Sequence, residues 1–506
     1  MTRRYGALLV LPLVKLVAHV AVIPGYGWFR DELYYLACAD HLDWGYVDHP
    51  PLSIALLALW RAAFGDSLIS IRVATALVGA ATVAGAGVLA AELGAGAFGR
   101  ALAMLCVVAA PAYLANNSYY SMNAWDVLLW TLAAWTLVRA LKAPGLRRWA
   151  VLGAILGLGL LNKVSVLWLG AGLGVGLLST REARRALLSP GPWAAAAIAA
   201  ALFAPHVLWQ AAHGWPTAEF IRNATQEKMA GISPLDFAIA QVMEMHPFTF
   251  PVWLAGLVAA LALPRFAAMR PLGTIYAVVF LILVVNEKSR VGYLAPAYPM
   301  LFAAGGVALE GLLARRQERA AAIVAIAAGG AATAPLAMPA LPVEAYIAYA
   351  RTLGETPSTE EKKEVGALPQ FFADMHGWPE LVEAVAKAWA ALPLEERGRA
   401  GILASNYGEA GAIDVLGRAR GLPRAASGHN SYWLWGPGSA ADADVILVLV
   451  PERARARLEE RFARVAEVAR IECGHCMPYQ DHRPVYLCRE PREPIAALWP
   501  GLKHYD

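Results

Sequence analysis

The sequence predicts a polytopic α-helical membrane protein that carries a soluble α/β domain at its C-terminal end. Of the 506 residues, 58% are hydrophobic and only 16% are charged, whereas soluble globular proteins are about one quarter charged. Apolar segments of roughly membrane length recur as far as residue 339 and then stop. Beyond that point Glu, Lys, Arg and Pro become frequent. We therefore expect a membrane domain over 1–339 and a soluble domain over 340–506.

The sequence gives no support for a nucleic-acid partner. The formal net charge is only +4. The sequence has no basic domain, no zinc-finger spacing and no aromatic motif of a single-strand-binding platform.

Apolar segments of suitable length organise the first domain. The first follows a basic start and has no small-x-small cleavage site, which predicts an uncleaved membrane helix rather than a removable signal peptide. The segments lie at about 5–24, 68–91, 100–118, 122–141, 149–179, 193–210, 237–262, 272–285, 292–312 and 320–339. The stretch 149–179 has basic residues on both flanks, so the positive-inside bias requires it to cross twice, with a break at Asn162-Lys163. If 149–179 is counted as two crossings, these segments give about eleven membrane spans.

An acid-rich stretch, Trp28–Pro51, follows the first span. Ionised groups are costly in hydrocarbon, so this stretch is expected at the outer membrane interface. Asp31 and Glu32 should open a short helix there, because carboxylates are favoured at helix N-termini. The segment Pro51–Phe64 is too short for a span and is expected to form a second helix lying along the interface.

The soluble domain shows alternating helix and strand patterns. Helices are predicted at 380–391 and 452–470, and strands at 401–405, 445–450 and 485–488. A small three-layer α/β domain is the natural arrangement of these elements. The odd number of spans places it outside the cytoplasm, on the side of the acid-rich stretch.

Four motifs of the first 340 residues resemble those of the family 39 membrane glycosyltransferases, which have the GT-C fold. They are RDELYY at 30–35, YVDHPPL at 46–52, GLGLLNK at 157–163 and NEKSRVGYLAPAYP at 286–299. Relatives in that superfamily include protein O-mannosyltransferases and the lipid A aminoarabinose transferase. The segments NYGEAGAID, SGHNSYWLW and CMPY also resemble the C-terminal part of bacterial members.

The resemblance implies a multi-pass enzyme of the bacterial inner membrane. Such an enzyme transfers a hexosyl or pentosyl group from a polyprenyl-phosphate donor to an acceptor at the extracytoplasmic face, with inversion of the anomeric centre. The resemblance does not decide whether the acceptor is a lipid, a glycan or a protein. The resemblance implies no certain cofactor, although a divalent metal remains possible.

The resemblance assigns the catalytic base to the pair Asp31-Glu32. A carboxylate there can take the proton from an attacking acceptor hydroxyl. The resemblance does not decide which of the two acids is the base. The structural alternative is that Asp31 only caps its helix. The donor phosphate is expected near Lys288, Arg290 and Tyr293, because cations stabilise the charge that a departing phosphate gains. Ordinary surface solvation is the alternative for Arg290.

Further candidates follow from the same resemblance. Asp48 and His49 match a position where the aminoarabinose transferase has a metal-linked Glu followed by a phosphate-facing Lys, so they are candidates for phosphate or metal binding. Asp48 could equally pair with an arginine. Asp126 and the break residues Asn162 and Lys163 are further site candidates, with a purely structural role as the alternative for the break.

Three cysteines cluster near the C-terminal end of the chain, at Cys473, Cys476 and Cys488. One CxxC with nearby histidines is compatible with zinc, but an extracytoplasmic domain favours a disulfide among them. The connectivity cannot be deduced from the sequence.

Two rival functions are compatible with a polytopic chain. One is a transporter or flippase of lipid-linked sugars, but the sequence shows no second copy of the acid-rich stretch, as matched repeats would require. The other is a glycan-binding receptor, which would give the outer acids no role.

Overall fold

The computed structural model describes the backbone of residues 2–506 and the side chains of residues 9–506. The first two thirds of the chain are helical. The helices are α1 (Thr2–Val22), α2 (Arg30–Ala39), α3 (Leu52–Phe64), α4 (Leu68–Glu92), α5 (Ala97–Ala109), α6 (Pro111–Asn116), α7 (Met122–Lys142), α8 (Leu146–Asn162), α9 (Val166–Leu178), α10 (Arg181–Ala186), α11 (Pro190–Ala212), α12 (Pro216–Asn223), α13 (Pro234–Glu244), α14 (Phe250–Ala262), α15 (Arg270–Val285), α16 (Tyr298–Leu312) and α17 (Arg316–Ala337).

Six helices among the described residues are long and apolar enough to cross a bilayer. They are built on α4, α7, α11, α15, α16 and α17. A seventh span is possible if α13 and α14, which meet at 91°, count as one. The chain is therefore a helical membrane protein. Shorter apolar helices such as α5 and α9 could also cross, so the expected total of about eleven spans stays a prediction.

The predicted break at Asn162-Lys163 is confirmed, since α8 ends at Asn162 and α9 begins at Val166. These helices have 17 and 13 residues, which corresponds to roughly 26 and 20 Å. Both are shorter than a hydrocarbon core of about 30 Å. A Cβ atom on Gly153 would lie 2.5 Å from the Ala195 carbonyl oxygen, so this small residue lets α8 lie close against α11.

The acid-rich stretch forms the two short helices expected from the sequence, α2 and α3. Asp31 and Glu32 lie in the first turn of α2. The Glu32 carboxylate turns back and accepts a hydrogen bond from the Phe29 N–H at 2.8 Å. This contact satisfies one of the backbone donors that every helix N-terminus leaves free.

The remaining third of the chain contains a mixed sheet and flanking helices. The helices are α18 (Val343–Thr352), α19 (Gln370–Ala373), α20 (Trp378–Ala390), α21 (Leu394–Arg397), α22 (Tyr407–Leu416), α23 (Ser431–Trp435), α24 (Arg455–Arg461) and α25 (Ile495–Leu498). The strands are β1 (Ala400–Ala404), β2 (Ala426–Ser427), β3 (Val445–Leu449), β4 (Phe462–Ile471) and β5 (Arg483–Pro491), in the order β2-β1-β3-β5-β4. β1 runs parallel to β2 and β3, whereas β5 is antiparallel to β3 and β4.

The helix predicted over 452–470 is wrong beyond residue 461. Within that range only a 3-10 turn, Glu452–Ala454, and α24, Arg455–Arg461, are helical, and Phe462–Ile471 forms the edge strand β4. This strand is rich in Arg and Glu, and charge on an edge strand protects it from pairing with other chains. The same charges, spaced among apolar residues, imitate the pattern of an exposed helix.

The acid-rich stretch packs against the C-terminal sheet domain. Leu33 and Leu36 of α2 belong to one buried apolar cluster with Val385 of α20, Ile402 of β1 and Ile413 of α22. The acid-rich stretch and residues 378–487 thus share a core. This contact brings residues from both ends of the chain to one place.

Candidate active site

A cavity of about 440 Å³ lies where the acid-rich stretch, the membrane helices and the C-terminal domain meet, and we call it the central cavity. Its lining comes from residues 29–31, 112–127, Lys163, Glu244, residues 290–296 and residues 358–374. Several sequence candidates therefore converge on one space. They are Asp31, Asp126, Lys163, Arg290 and Tyr293.

Asp31 reaches the central cavity from the first turn of α2. Its side chain is 35% exposed. The Tyr407 hydroxyl donates a hydrogen bond to Oδ1 at 2.9 Å, and the Arg30 Nε lies 3.5 Å from the same oxygen. An accessible carboxylate that keeps acceptor capacity free can accept a proton.

Glu32, the adjacent acid, has an opposite environment. Its side chain is fully buried, and its two oxygens accept bonds from Arg72 Nε at 3.1 Å and Nη2 at 2.8 Å. The Phe29 and Tyr120 N–H groups donate the other two bonds, at 2.8 and 2.9 Å. Because the described groups already saturate this carboxylate, it has no capacity left for an acceptor hydroxyl. Its observed role is to join α2, α4 and the segment before α7.

The helix break carries a cation into the central cavity. Lys163 Nζ donates to Asn123 Oδ1 at 2.8 Å, and Asp126 Oδ2 lies 3.7 Å away. Nζ also lies 5.1 Å from the centre of the Tyr293 ring. Asn162 is fully buried and donates from Nδ2 to the Met122 carbonyl at 2.9 Å, which fastens the break to the start of α7. Thus Asn162 holds the tip and Lys163 occupies the cavity wall.

Asp126 lies beside this lysine, on α7. Its Oδ2 accepts a hydrogen bond from Ser165 Oγ at 3.0 Å, whereas Oδ1 is buried and has no hydrogen-bond partner among the described residues. A buried carboxylate of this kind needs a nearby cation, which Lys163 provides.

Arg290 is the second cation of the central cavity. Its Nη2 lies 2.7 Å from Glu361 Oε1, and the neighbouring Val291 N–H donates to Glu360 Oε1 at 2.9 Å. Burial alone would raise the pKa of the Glu361 carboxyl, but the surrounding cations, Lys228 foremost, hold it well below its usual range. Glu360 and Glu361 thus fasten a segment of the C-terminal domain across the cavity.

Two residues expected at the donor phosphate lie outside the lining of the central cavity. Lys288 is half-buried, and His49 is fully buried with Nδ1 3.0 Å from the Pro50 carbonyl oxygen. Neither is among the described residues that line the central cavity. Aromatic rings, including Tyr35 and Tyr46, enclose His49. A role for Lys288 or His49 at the donor phosphate stays a prediction.

Asp48 and His49 do not form a metal site by themselves. Asp48 Oδ1 accepts a hydrogen bond from the Tyr34 hydroxyl at 2.9 Å and lies 3.9 Å from His49 Nε2. Burial raises the pKa of the Asp48 carboxyl, although His49 and Tyr34 oppose that shift. Within residues 9–506, no third His, Cys, Asp or Glu places a ligand atom within 4.8 Å of both. Zinc sites in proteins use three or four protein ligands, so this pair does not fit a resident metal.

Two of the clustered cysteines are joined. Cys473 and Cys476 form a disulfide, whereas Cys488 is buried and free on β5, the strand between β3 and the edge strand β4. The free thiol lies between Ile446 of β3 and Val465 of β4.

A larger cavity of about 820 Å³ lies beside the central cavity. Arg30 lines both, while Tyr407, His429 and Arg483 of the C-terminal domain line the larger one. Asp31 therefore lies close to both spaces, through its contacts with Arg30 and Tyr407.

Residues 48–209 match the model of a family described as dolichyl-phosphate-mannose-protein mannosyltransferase. A curated relative is the undecaprenyl phosphate-alpha-4-amino-4-deoxy-L-arabinose arabinosyl transferase of Pseudomonas savastanoi pv. phaseolicola (strain 1448A / Race 6). It is 27% identical over 185 residues, which cover 33% of this chain and 34% of the relative. The alignment thus spans about a third of that relative's length.

Solved structures match over a longer range. ArnT from Cupriavidus metallidurans bound to undecaprenyl phosphate has a TM-score of 0.64 at 15% identity, covering 96% of this chain and 98% of that one. Its apo state has a TM-score of 0.62 and covers 98% and 99%. The chain has the GT-C fold. This confirms the fold that the sequence motifs predicted.

Three side chains around the site were missed from the sequence: Glu360 and Glu361 line the central cavity, and Tyr407 lines the larger cavity and contacts Asp31. Tyr407, Glu360 and Glu361 come from the C-terminal domain, more than 60 residues after the last motif near the donor site. The motif NYGEAGAID, which contains Tyr407, is the sequence signal that points to this residue. Nothing in the local sequence distinguishes Glu361 from its charged neighbours.

Proposed function

We propose that the protein is a glycosyltransferase that moves a sugar from a polyprenyl-phosphate donor to an acceptor hydroxyl at the extracytoplasmic face of the membrane. One observation carries the proposal: the accessible carboxylate of Asp31 and the cations Lys163 and Arg290 line the same cavity. Sugar transfer from a lipid phosphate needs these two kinds of group, a base for the acceptor and cations for the leaving phosphate.

The donor phosphate is assigned to Lys163 and Arg290. As the bond between the anomeric carbon and the phosphate oxygen breaks, the phosphate gains negative charge, which fixed cations stabilise. Apolar residues of the same wall, including Ala112, Ala115 and Val127, suit the first units of a prenyl chain. The undecaprenyl phosphate bound to the similarly folded ArnT supports a lipid phosphate as the donor carrier.

The base is assigned to Asp31. Its carboxylate takes the proton of the acceptor hydroxyl while the hydroxyl oxygen forms a bond to the anomeric carbon. The bonding electrons to the donor oxygen leave with the polyprenyl phosphate. Attack from the face opposite the leaving group inverts the anomeric centre. The larger cavity beside Arg30 and Tyr407 offers the acceptor a route to Asp31 that does not cross the donor site.

Purified protein incubated with a polyprenyl-phosphate hexose tests the proposal. Hydrolysis of the donor, or transfer of its sugar to an added acceptor, is the expected result. Movement of the intact donor across a vesicle membrane without bond cleavage would instead identify a flippase. Comparing a hexose with a pentose donor would define the sugar, and mass spectrometry of surface glycans after gene deletion would narrow the acceptor.

The side of the membrane is tested by a fusion. A reporter that is active only in the cytoplasm, attached after Asp506, should stay silent, because the parity of the basic loops predicts that this end is outside. The same reporter after Ala143, in a loop with basic flanks, is the positive control. Activity of the C-terminal fusion would place the proposed reaction in the cytoplasm.

Substituting Lys163 and Lys288 separately tests the assignment of the donor phosphate to Lys163. Lys163→Gln should lower kcat/KM for the donor by roughly 10- to 100-fold, since a hydrogen bond to a charged group is worth about 1.5–3 kcal/mol. Lys288→Gln, a matched change outside the central cavity, should stay within about threefold of the parent. Steady-state kinetics with a short-chain donor measures both. Equal losses would contradict the assignment of the phosphate to Lys163.

A further inference from the structure

Helix α22 packs directly against α2, and two glycines make this close contact possible. A Cβ on Gly408 would lie 2.7 Å from Arg30 Cγ, and one on Gly411 would lie 2.9–3.1 Å from backbone atoms of Leu33 and Tyr34. The spacing of three places both glycines on one helix face. Because α22 begins at Tyr407, this close approach carries the tyrosine over the first turn of α2.

Tyr407 is held from several directions. The Arg30 guanidinium carbon lies 5.5 Å from the ring centre, and the Tyr34 and His429 ring centres each lie 4.7 Å away. Its hydroxyl donates to Asp31 Oδ1 at 2.9 Å. Burial raises the pKa of the Tyr407 phenol, with Arg30 opposing, so the group stays protonated and remains a donor at neutral pH.

We propose that Tyr407 is a positioning residue of the C-terminal domain that acts through Asp31. Its hydroxyl occupies Oδ1, stabilises the charged carboxylate and fixes the side chain so that Oδ2 is presented to the acceptor hydroxyl. This inference rests on the proposed role of Asp31 as the base. With this role for Tyr407, the C-terminal domain contributes a residue to the reaction centre.

Other titratable and charged groups also face Asp31. They are Arg30 and Tyr35 of its own helix, Asp48, Tyr119 and Asp374 around it, and Asp126, Lys163, Glu244, Arg290, Tyr293, Glu360 and Glu361 across the central cavity. Among the described residues, Tyr407 is the side chain that donates to Asp31 within 3.0 Å. Removing its hydroxyl therefore changes one defined hydrogen bond and leaves the charges in place.

The test is Tyr407→Phe in the full chain, assayed with a short-chain polyprenyl-phosphate sugar over a range of pH. We expect kcat to fall roughly 5- to 10-fold, while the donor KM stays within about twofold. In the profile of kcat against pH, the acid limb should move to higher pH by about one unit. The shift has this sign because the lost hydrogen bond favours the charged carboxylate. A defect of packing alone would lower the amount of active enzyme without moving the limb.

Two further variants keep the inference falsifiable. Tyr486→Phe is the matched control, because that buried hydroxyl has no hydrogen-bond partner among the described residues, and it should change neither kcat nor the pH profile. Placing 3-fluorotyrosine at 407 keeps the ring and makes the phenol a stronger donor, so the acid limb should move to lower pH. An acid limb unchanged in both 407 variants would overturn the inference.

The result separates this inference from the proposed function. If Asp31→Asn abolishes transfer but the 407 variants keep the parent pH profile, Asp31 is the base and Tyr407 does not position it. If Asp31→Asn retains the parent rate, the proposed role of Asp31 fails first. The positioning role of Tyr407 then fails with it.

Discussion

Asp31→Asn is expected to lower the rate of sugar transfer by roughly 100-fold or more while folding and donor binding survive, which is the scale of general-base catalysis. Asparagine has the size of aspartate and keeps an oxygen that can accept the Tyr407 hydrogen bond, but it cannot take a proton. The parent side chain is 35% exposed, so losing its charge should cost little stability. The change therefore tests the chemistry of the group rather than its packing.

The measurement is kcat and donor KM with a short-chain polyprenyl-phosphate sugar. Asp43→Asn is the matched control, because Asp43 is an exposed acid of the same stretch and is not among the described residues lining the central cavity. It should keep the parent kcat. An Asp31→Asn, Glu32→Gln double variant that transfers sugar at the parent rate would remove this stretch from the chemistry.

The starts and ends of the helices around the site were predictable where local sequence signals mark them. Asn162-Lys163 interrupts a run of apolar residues between two basic flanks, and the length and charge of this run predict the break that separates α8 from α9. The double proline before Leu52 and the acids at the start of α2 are local signals of helix starts. These signals depend on neighbouring residues, which a single sequence contains.

The partners of the site residues were not predictable in the same way. Asp31 and Glu32 are adjacent acids, and only long-range contacts with Tyr407 and Arg72 distinguish an accessible carboxylate from a saturated one. Lys288 and Arg290 differ for the same reason, since the path of the loop decides which one faces the central cavity. β4 was mistaken for helix because its alternation is masked by charge on an exposed edge.

Glu32→Gln is expected to lower the free energy of unfolding by about 3–5 kcal/mol, the cost of breaking a buried ion pair by removing one partner. Arg72 is 1% exposed and would be left without its counter-charge, and the new amide nitrogen would face a donor N–H. Activity should fall only as far as the folded fraction falls. This outcome is the reverse of that for Asp31→Asn, which should stay folded but transfer sugar roughly 100-fold more slowly.

Denaturation in detergent micelles and kinetics on the same samples measure both effects. Arg72→Gln alone should cost a similar amount, because it leaves Glu32 buried and unpaired. In the Glu32→Gln, Arg72→Gln double variant, the second change should cost much less than it does alone, since the pair is already broken. A stable Glu32→Gln variant that loses transfer roughly 100-fold would instead give Glu32 the chemical role, and the four hydrogen bonds that saturate its carboxylate would then have to open during the reaction.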